Sequence, residues 1–181
     1  MEKETLKKIF DFIKTKDNRN IPFMWKLKNN EPITEDDLIV NGDLDLRPSS
    51  IDYMDIESLP EGLKVSGRLD LMGSDMQFLP KGLEVGGYLD LSYSLIKSLP
   101  EGLKVGGSLS LFDCANITSL PEGLKVGGNL DLGATNITLL PRGFKVEGYI
   151  ELNGTKLTGY SDGELRNMVK PGYIKGRIIK F

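Results

Sequence analysis

The 181-residue chain has no histidine and one cysteine, Cys114. Without histidine, Ser-His-Asp and Cys-His catalysis and every His-ligated metal site are excluded. One cysteine excludes an intramolecular disulfide and a multi-cysteine zinc site. Alanine is nearly absent, with two residues against 27 leucines, which disfavours the close helix contacts of bundles and α-solenoids. No apolar run approaches the ~18 residues of a membrane span. Residues 1–10 are charged and lack the apolar stretch of a signal peptide. These absences lead to the expectation of a cytoplasmic protein that spans no membrane and carries no cofactor or metal.

Charge is scarce in net terms, −3, but unevenly placed. Residues 1–30 carry 8 basic and 4 acidic side chains, residues 31–160 carry 10 and 20, and residues 161–181 carry 5 and 2. An acidic middle between mildly basic ends argues against a nucleic-acid partner, which calls for a basic face.

What is present is a repeat. Leu-Pro recurs at Leu59-Pro60, Leu79-Pro80, Leu99-Pro100, Leu120-Pro121 and Leu140-Pro141, at spacings of 20, 20, 21 and 20. Each is followed by x-Gly-Leu/Phe-x-Val-x-Gly-x-Leu/Ile-x-Leu. Strand side chains alternate, so Leu69/Leu71, Leu89/Leu91, Leu109/Leu111, Leu130/Leu132 and Ile150/Leu152 share an inward face. Val65, Val85, Val105, Val126 and Val146 supply an inward residue before each strand. Met76, Ile96, Ile117, Ile137 and Leu157 supply one after it. Leu-Pro-x-Gly reads as a turn, with Pro fixing φ. A half-copy stands at residues 40–46, and an insertion follows it at 47–57. Ser74, Ser94, Cys114, Thr135 and Thr155 form a small hydroxylic column, with Ala115 the extra residue of the 21-residue repeat. Cys114 is therefore expected to be a Ser-sized structural residue, not a nucleophile. The pairs Gly86-Gly87, Gly106-Gly107 and Gly127-Gly128 lack a phosphate-loop ending and are expected to let the backbone bend into each strand.

The pattern Leu-x-Leu-x-x-(polar)-x-Ile-x-x-Leu-Pro resembles the short bacterial leucine-rich repeat. Secreted bacterial effectors, a ubiquitin-ligase group among them, carry repeats of this length. The wording Gly-Leu-Lys-Val-Gly-Gly-x-Leu-Asp-Leu is similar to repeats in bacterial and bacteriophage proteins. The resemblance covers about residues 38–160. It implies an α/β leucine-rich-repeat solenoid, right-handed, of five full coils and a half-coil, with helical N- and C-terminal caps. The family's usual Asn column is Ser, Thr or Cys here, and no second domain with a catalytic Cys is present, so ligase activity does not carry over.

Three segments follow: an N-terminal cap helix and connection at 1–37, the repeat array at 38–160 and a C-terminal cap at 161–181. Leu6, Ile9, Phe10 and Ile13 lie on one helical face. Residues 17–37 read as an irregular connection with Phe23 and Trp25 packed beneath it. Ser161 to Glu164 matches a capping box before Leu165, Met168 and Val169. Residues 173–181 read as a final strand or cap tail whose Lys and Arg could blunt a free edge.

The outward residues between the paired leucines are Asp45, Asp70, Asp90, Ser110, Asp131 and Glu151. Five of the six are acidic, and like charges side by side on strands cost stability. Arg68, Tyr88 and Tyr149 flank them on one side, Arg47, Met72 and Phe112 on the other. In the implied fold this face is concave. Acids with scattered aromatics form a protein-binding patch for a partner with a basic surface. On the opposite side, Glu61/Lys64, Glu101/Lys104 and Glu122/Lys125, with Lys81/Glu84 reversed, read as ion pairs on a solvated rim.

The expected function is non-enzymatic protein binding through Asp45, Asp70, Asp90, Asp131, Glu151, Arg68, Tyr88, Tyr149, Met72 and Phe112. If the chain is phage-encoded, its partner would be a host protein, for instance a defence component inhibited or sequestered in the bacterial cytoplasm. A carboxylate-dependent hydrolase using Asp70, Asp90 or Asp131 and a self-assembling structural repeat are the alternatives. The oligomeric state is not readable from the sequence.

Overall fold

The computed structural model describes residues 23–28, 31–48 and 58–180. The expected helix at 3–16 and residues 49–57 of the 47–57 insertion lie outside these residues, as does the side chain of Trp25. The chain divides into two compact units, Met1–Ile39 and Val40–Phe181.

In the first unit a short helix, α1 (Phe23–Lys28), stands where the sequence suggested an irregular connection. Phe23 is buried. A 3-10 turn at Glu35–Leu38 is capped by Thr34. Its Asp37 is buried and binds the Lys26 ammonium at 2.5 Å and the Thr34 hydroxyl at 2.6 Å. Burial alone would raise the Asp37 carboxyl, but the bonds from Lys26 and Thr34 outweigh it and hold it below the usual range.

From residue 39 onward the chain winds repeatedly through two parallel sheets. One holds β1 (Ile39–Val40), β3 (Lys64–Val65), β5 (Glu84–Val85), β7 (Lys104–Val105), β9 (Lys125–Val126), β11 (Lys145–Val146) and β13 (Tyr173–Ile174). The other holds β2 (Leu44–Asp45), β4 (Leu69–Asp70), β6 (Leu89–Asp90), β8 (Leu109–Ser110), β10 (Leu130–Asp131), β12 (Ile150–Glu151) and β14 (Ile178–Ile179). Each strand pairs in parallel with its equivalent one repeat away, as in Val65↔Val85 and Leu69↔Leu89. The side chains expected to point inward are buried, from the valines through the paired leucines to the leucine of each Leu-Pro. Burying one Leu contributes roughly 1.5–3 kcal/mol, so stacking, not any single repeat, stabilises the array.

The Leu-Pro-x-Gly turns place Gly62, Gly82, Gly102, Gly123 and Gly143 at positive φ, where only glycine is unstrained. The second residue of each Gly-Gly pair has a different reason. A Cβ at Gly107 would stand 2.7 Å from the backbone of Gly87, and one at Gly148 2.8 Å from that of Gly128. These positions are glycine because successive repeats touch backbone to backbone, not because the chain bends there. The extra residue of the 21-residue repeat is absorbed in the turn after Cys114, and the register resumes at Lys104↔Lys125. Cys114 is buried, its thiol donates to the Leu91 carbonyl at 2.9 Å, and burial pushes its pKa up. It fills the hydroxylic column as a structural residue.

The architecture overturns the leucine-rich-repeat reading and the solenoid it implied. That fold is curved, with one strand per repeat and helical segments opposite. Here each repeat gives a strand to each of two layers, and among the described residues no repeat carries a helix between its strands until α2 (Asp162–Met168). The second strand is the Lys/Glu-Val step that the sequence offered only as an inward valine. The C-terminal helical cap fails as well. The capping box at Ser161 and Glu164 is present, but the chain then adds β13 and β14 to the two sheets, as one more repeat. The concave face belonged to the rejected fold and has no counterpart.

The ion pairs of the first sheet also run differently. Glu84 pairs across repeats, with Lys104 at 2.8 Å and Lys64 at 3.9 Å. The outward column of this sheet, Lys64, Glu84, Lys104, Lys125 and Lys145, is mostly basic.

Candidate functional site

The outward side chains of the second sheet form a single column. Its register runs Asp45↔Asp70, Asp70↔Asp90, Asp90↔Ser110, Ser110↔Asp131 and Asp131↔Glu151. Parallel neighbours lie ~4.8 Å apart, so an uncompensated row of carboxylates would repel along its whole length. The chain compensates half of it.

Arg68, on the strand side before Asp70, reaches sideways and donates to Asp70 at 2.7 Å and Asp90 at 3.0 Å. Its guanidinium lies over the Tyr88 ring, 5.0 Å from the centroid. Arg47 binds Asp45 at 2.6 Å and approaches Asp70 at 3.3 Å, and its own pKa is raised chiefly by the Asp45 bond. Asp70 and Asp90 are buried, only 4% and 6% exposed, although both were expected in solvent. The covering side chains and local donors explain this. Met72 donates its N–H to Asp70, and Ser92 donates N–H and hydroxyl to Asp90. Ser92 and Ser110 share a hydroxyl bond of 2.7 Å. Burial pushes the Tyr88 hydroxyl above the ordinary phenol range, with Ser110 and Asp90 as its bonding partners. This end of the column is a closed, internally satisfied network.

The other end is different. Asp131 is half-buried and takes one N–H, from Gly133 at 2.8 Å. Among the described residues it forms no ion pair. Burial pushes its carboxyl above the usual range; the Gly133 bond opposes this and the charge of Asp90 adds to it. Glu151 accepts from Asn153 at 2.6 Å and likewise pairs with no cation among the described residues. Phe112 lies close over Gly133, where an added Cβ would meet its ring at 2.9 Å. Tyr93 meets Phe112 edge-on, with centroids 5.4 Å apart. Tyr149 is exposed, and its N–H donates to Asn129. Met72 is also exposed, next to the compensated end.

The ten residues proposed from sequence thus fall on one sheet face but into two groups. Asp45, Asp70, Asp90, Arg68, Tyr88 and Met72 are tied to one another or to Arg47. Asp131, Glu151, Phe112 and Tyr149 are not. The sequence reading missed Arg47 as a neutralising partner, though it stands beside Asp45 in the flanking column. It also missed Tyr93, which holds φ +60° in a turn that Gly73 and Gly154 occupy elsewhere. A bulky residue in that conformation is costly, and its ring adds to the exposed aromatic surface.

Among the described residues, no group of His, Cys, Asp and Glu is placed to hold a metal ion, and no helix is long and apolar enough to cross a membrane. No protein-family model, no curated protein and no solved structure matches the chain.

Proposed function

We propose that the chain is a non-catalytic protein-binding module. Its contact surface is the outward face of the second sheet, centred on Asp131, Glu151, Phe112 and Tyr149. The partner carries a basic group at the point of contact. The observation that supports this reading is the asymmetry of the acidic column: Arg47 and Arg68 answer the carboxylates at one end, and no described cation answers those at the other. A half-buried carboxylate with no paired cation is costly in the free protein and gains most from a partner's Lys or Arg. The closed end supplies a rigid flank, so little order is lost on binding.

Asp131→Asn separates stability from binding. A folded-state pKa raised above the unfolded value of 3.8 means that protonation stabilises the fold. That contribution is complete below the unfolded value and is lost as pH rises through the folded one. At neutral pH the carboxylate is therefore a net cost, and the variant should be at least as stable as wild type in urea unfolding. Any gain should shrink as pH is lowered. The same variant should weaken partner capture. A variant that is less stable at neutral pH, or that binds as well as wild type, would remove the basis for this reading.

A further inference from the structure

The last strand of the first sheet ends in a guarded edge. In β13 the N–H groups of Tyr173 and Lys175 donate back to Phe144 and Val146. By parallel-ladder alternation, the N–H and carbonyl of Ile174 therefore face outward, away from the sheet. Such an edge is a template for another strand. The guanidinium of Arg166, from α2, covers it. One of its nitrogens donates to the Ile174 carbonyl and another to the Gly176 carbonyl at 2.8 Å. The helix is fixed for this by its buried Leu165 and by Val169, whose carbonyl accepts from Gly143.

The geometry points to Arg166 as an edge guard that keeps β13 from pairing with the same strand of a second copy. The second copy is the matching occupant because the edge is self-complementary. In a two-fold antiparallel pair centred on Ile174, each Ile174 would give its N–H to the other's carbonyl. That pairing sets Tyr173 opposite the second copy's Lys175, a ring against a cation, as Lys145 and Tyr173 already stand within one chain at 5.8 Å. Like charges do not meet, so the acceptors held by Arg166 are the main obstacle. The adjoining edge strand β14 is flanked by Arg177 and Lys180, charges that blunt it. Lys180 is held at the Tyr160 carbonyl and Asp162.

The test is sedimentation of the full chain over about a hundredfold range of concentration, with amide exchange read at Ile174. Wild type should keep the mass of one chain, 20.1 kDa, and an Ile174 amide that exchanges freely. Arg166→Ala should shift toward twice that mass as concentration rises, with the Ile174 amide becoming protected. Arg166→Lys, one ammonium for two carbonyls, should associate more weakly and serves as the readout if the alanine variant does not fold. Variants that stay monomeric, variants that associate without protection at Ile174, or a wild type already paired there would each overturn the proposal.

Discussion

Gly107→Ala is expected to destabilise the repeat array by about 3 kcal/mol or more. The added Cβ would stand 2.7 Å from the carbonyl carbon and oxygen of Gly87. Those atoms belong to a neighbouring backbone, not to the end of a flexible side chain, and they cannot give way. Separating the repeats would stretch the Gly107 N–H bond to Gly87, now 3.1 Å, and the strand pairings on either side. The chain itself repeats the constraint, with glycine at 67, 87, 107, 128, 148 and 176. At the first position of each pair a Cβ would also meet backbone, 2.3 Å from the Ser66 carbonyl oxygen at Gly86 and 2.5 Å from the Gly86 carbonyl oxygen at Gly106, although Ser66, Glu147 and Lys175 stand there in other repeats. Gly163→Ala is the control. Its Cβ would meet only the Ser161 hydroxyl, at 4.0 Å, within a helix, so it should be neutral or gain about 0.5 kcal/mol. Urea midpoints of the two variants would separate stacking from a general loss of glycine.

The second large effect is expected for Arg68→Met. The apolar stem is kept and the charge removed, which leaves Asp90 with Ser92 and the Tyr88 hydroxyl, and Asp70 with the Met72 N–H and Arg47 at 3.3 Å. Uncovering a buried carboxylate costs about 3–5 kcal/mol. The guanidinium is 43% exposed and Arg47 remains, so about 2 kcal/mol is the expected loss at this site. Adding Asp90→Asn should restore about half of it, because the unpaired charge goes with it. The cation over the Tyr88 ring is lost in both variants, so recovery would be incomplete.

The two effects mark what the sequence made legible. The inward positions were readable because apolar residues return at fixed offsets, and every one of those columns is buried. The Ser/Thr/Cys column was readable for the same reason, and Cys114 accordingly lies inside. The first sheet was not readable. Its strands are two residues long, and a Lys-Val step between glycines has no local strand signature. Only pairing between repeats defines it, which no window on one repeat reveals. The leucine-rich-repeat resemblance then supplied a C-terminal helical cap and a concave face that the described residues do not form. The glycine pairs were recognised, but their reason lies in the neighbouring repeat.

For the candidate site, the column of acids was legible and its electrostatics were not. Alternation shows which residues share a face, but not that Arg68 bridges two strands or that Asp70 and Asp90 lie beneath side chains. Those facts depend on rotamers across repeats. The consequence is a narrower surface than composition suggested, with the open carboxylates confined to Asp131 and Glu151.

Capture from a lysate of the source cells, made with matched variants, tests the central claim most directly. The wild type would be compared with Asp131→Asn/Glu151→Gln on the second sheet and with Lys125→Ser on the first. The account predicts a partner retained by wild type and Lys125→Ser and lost by the double variant. Equal capture by all three proteins, or loss with Lys125→Ser alone, would contradict it.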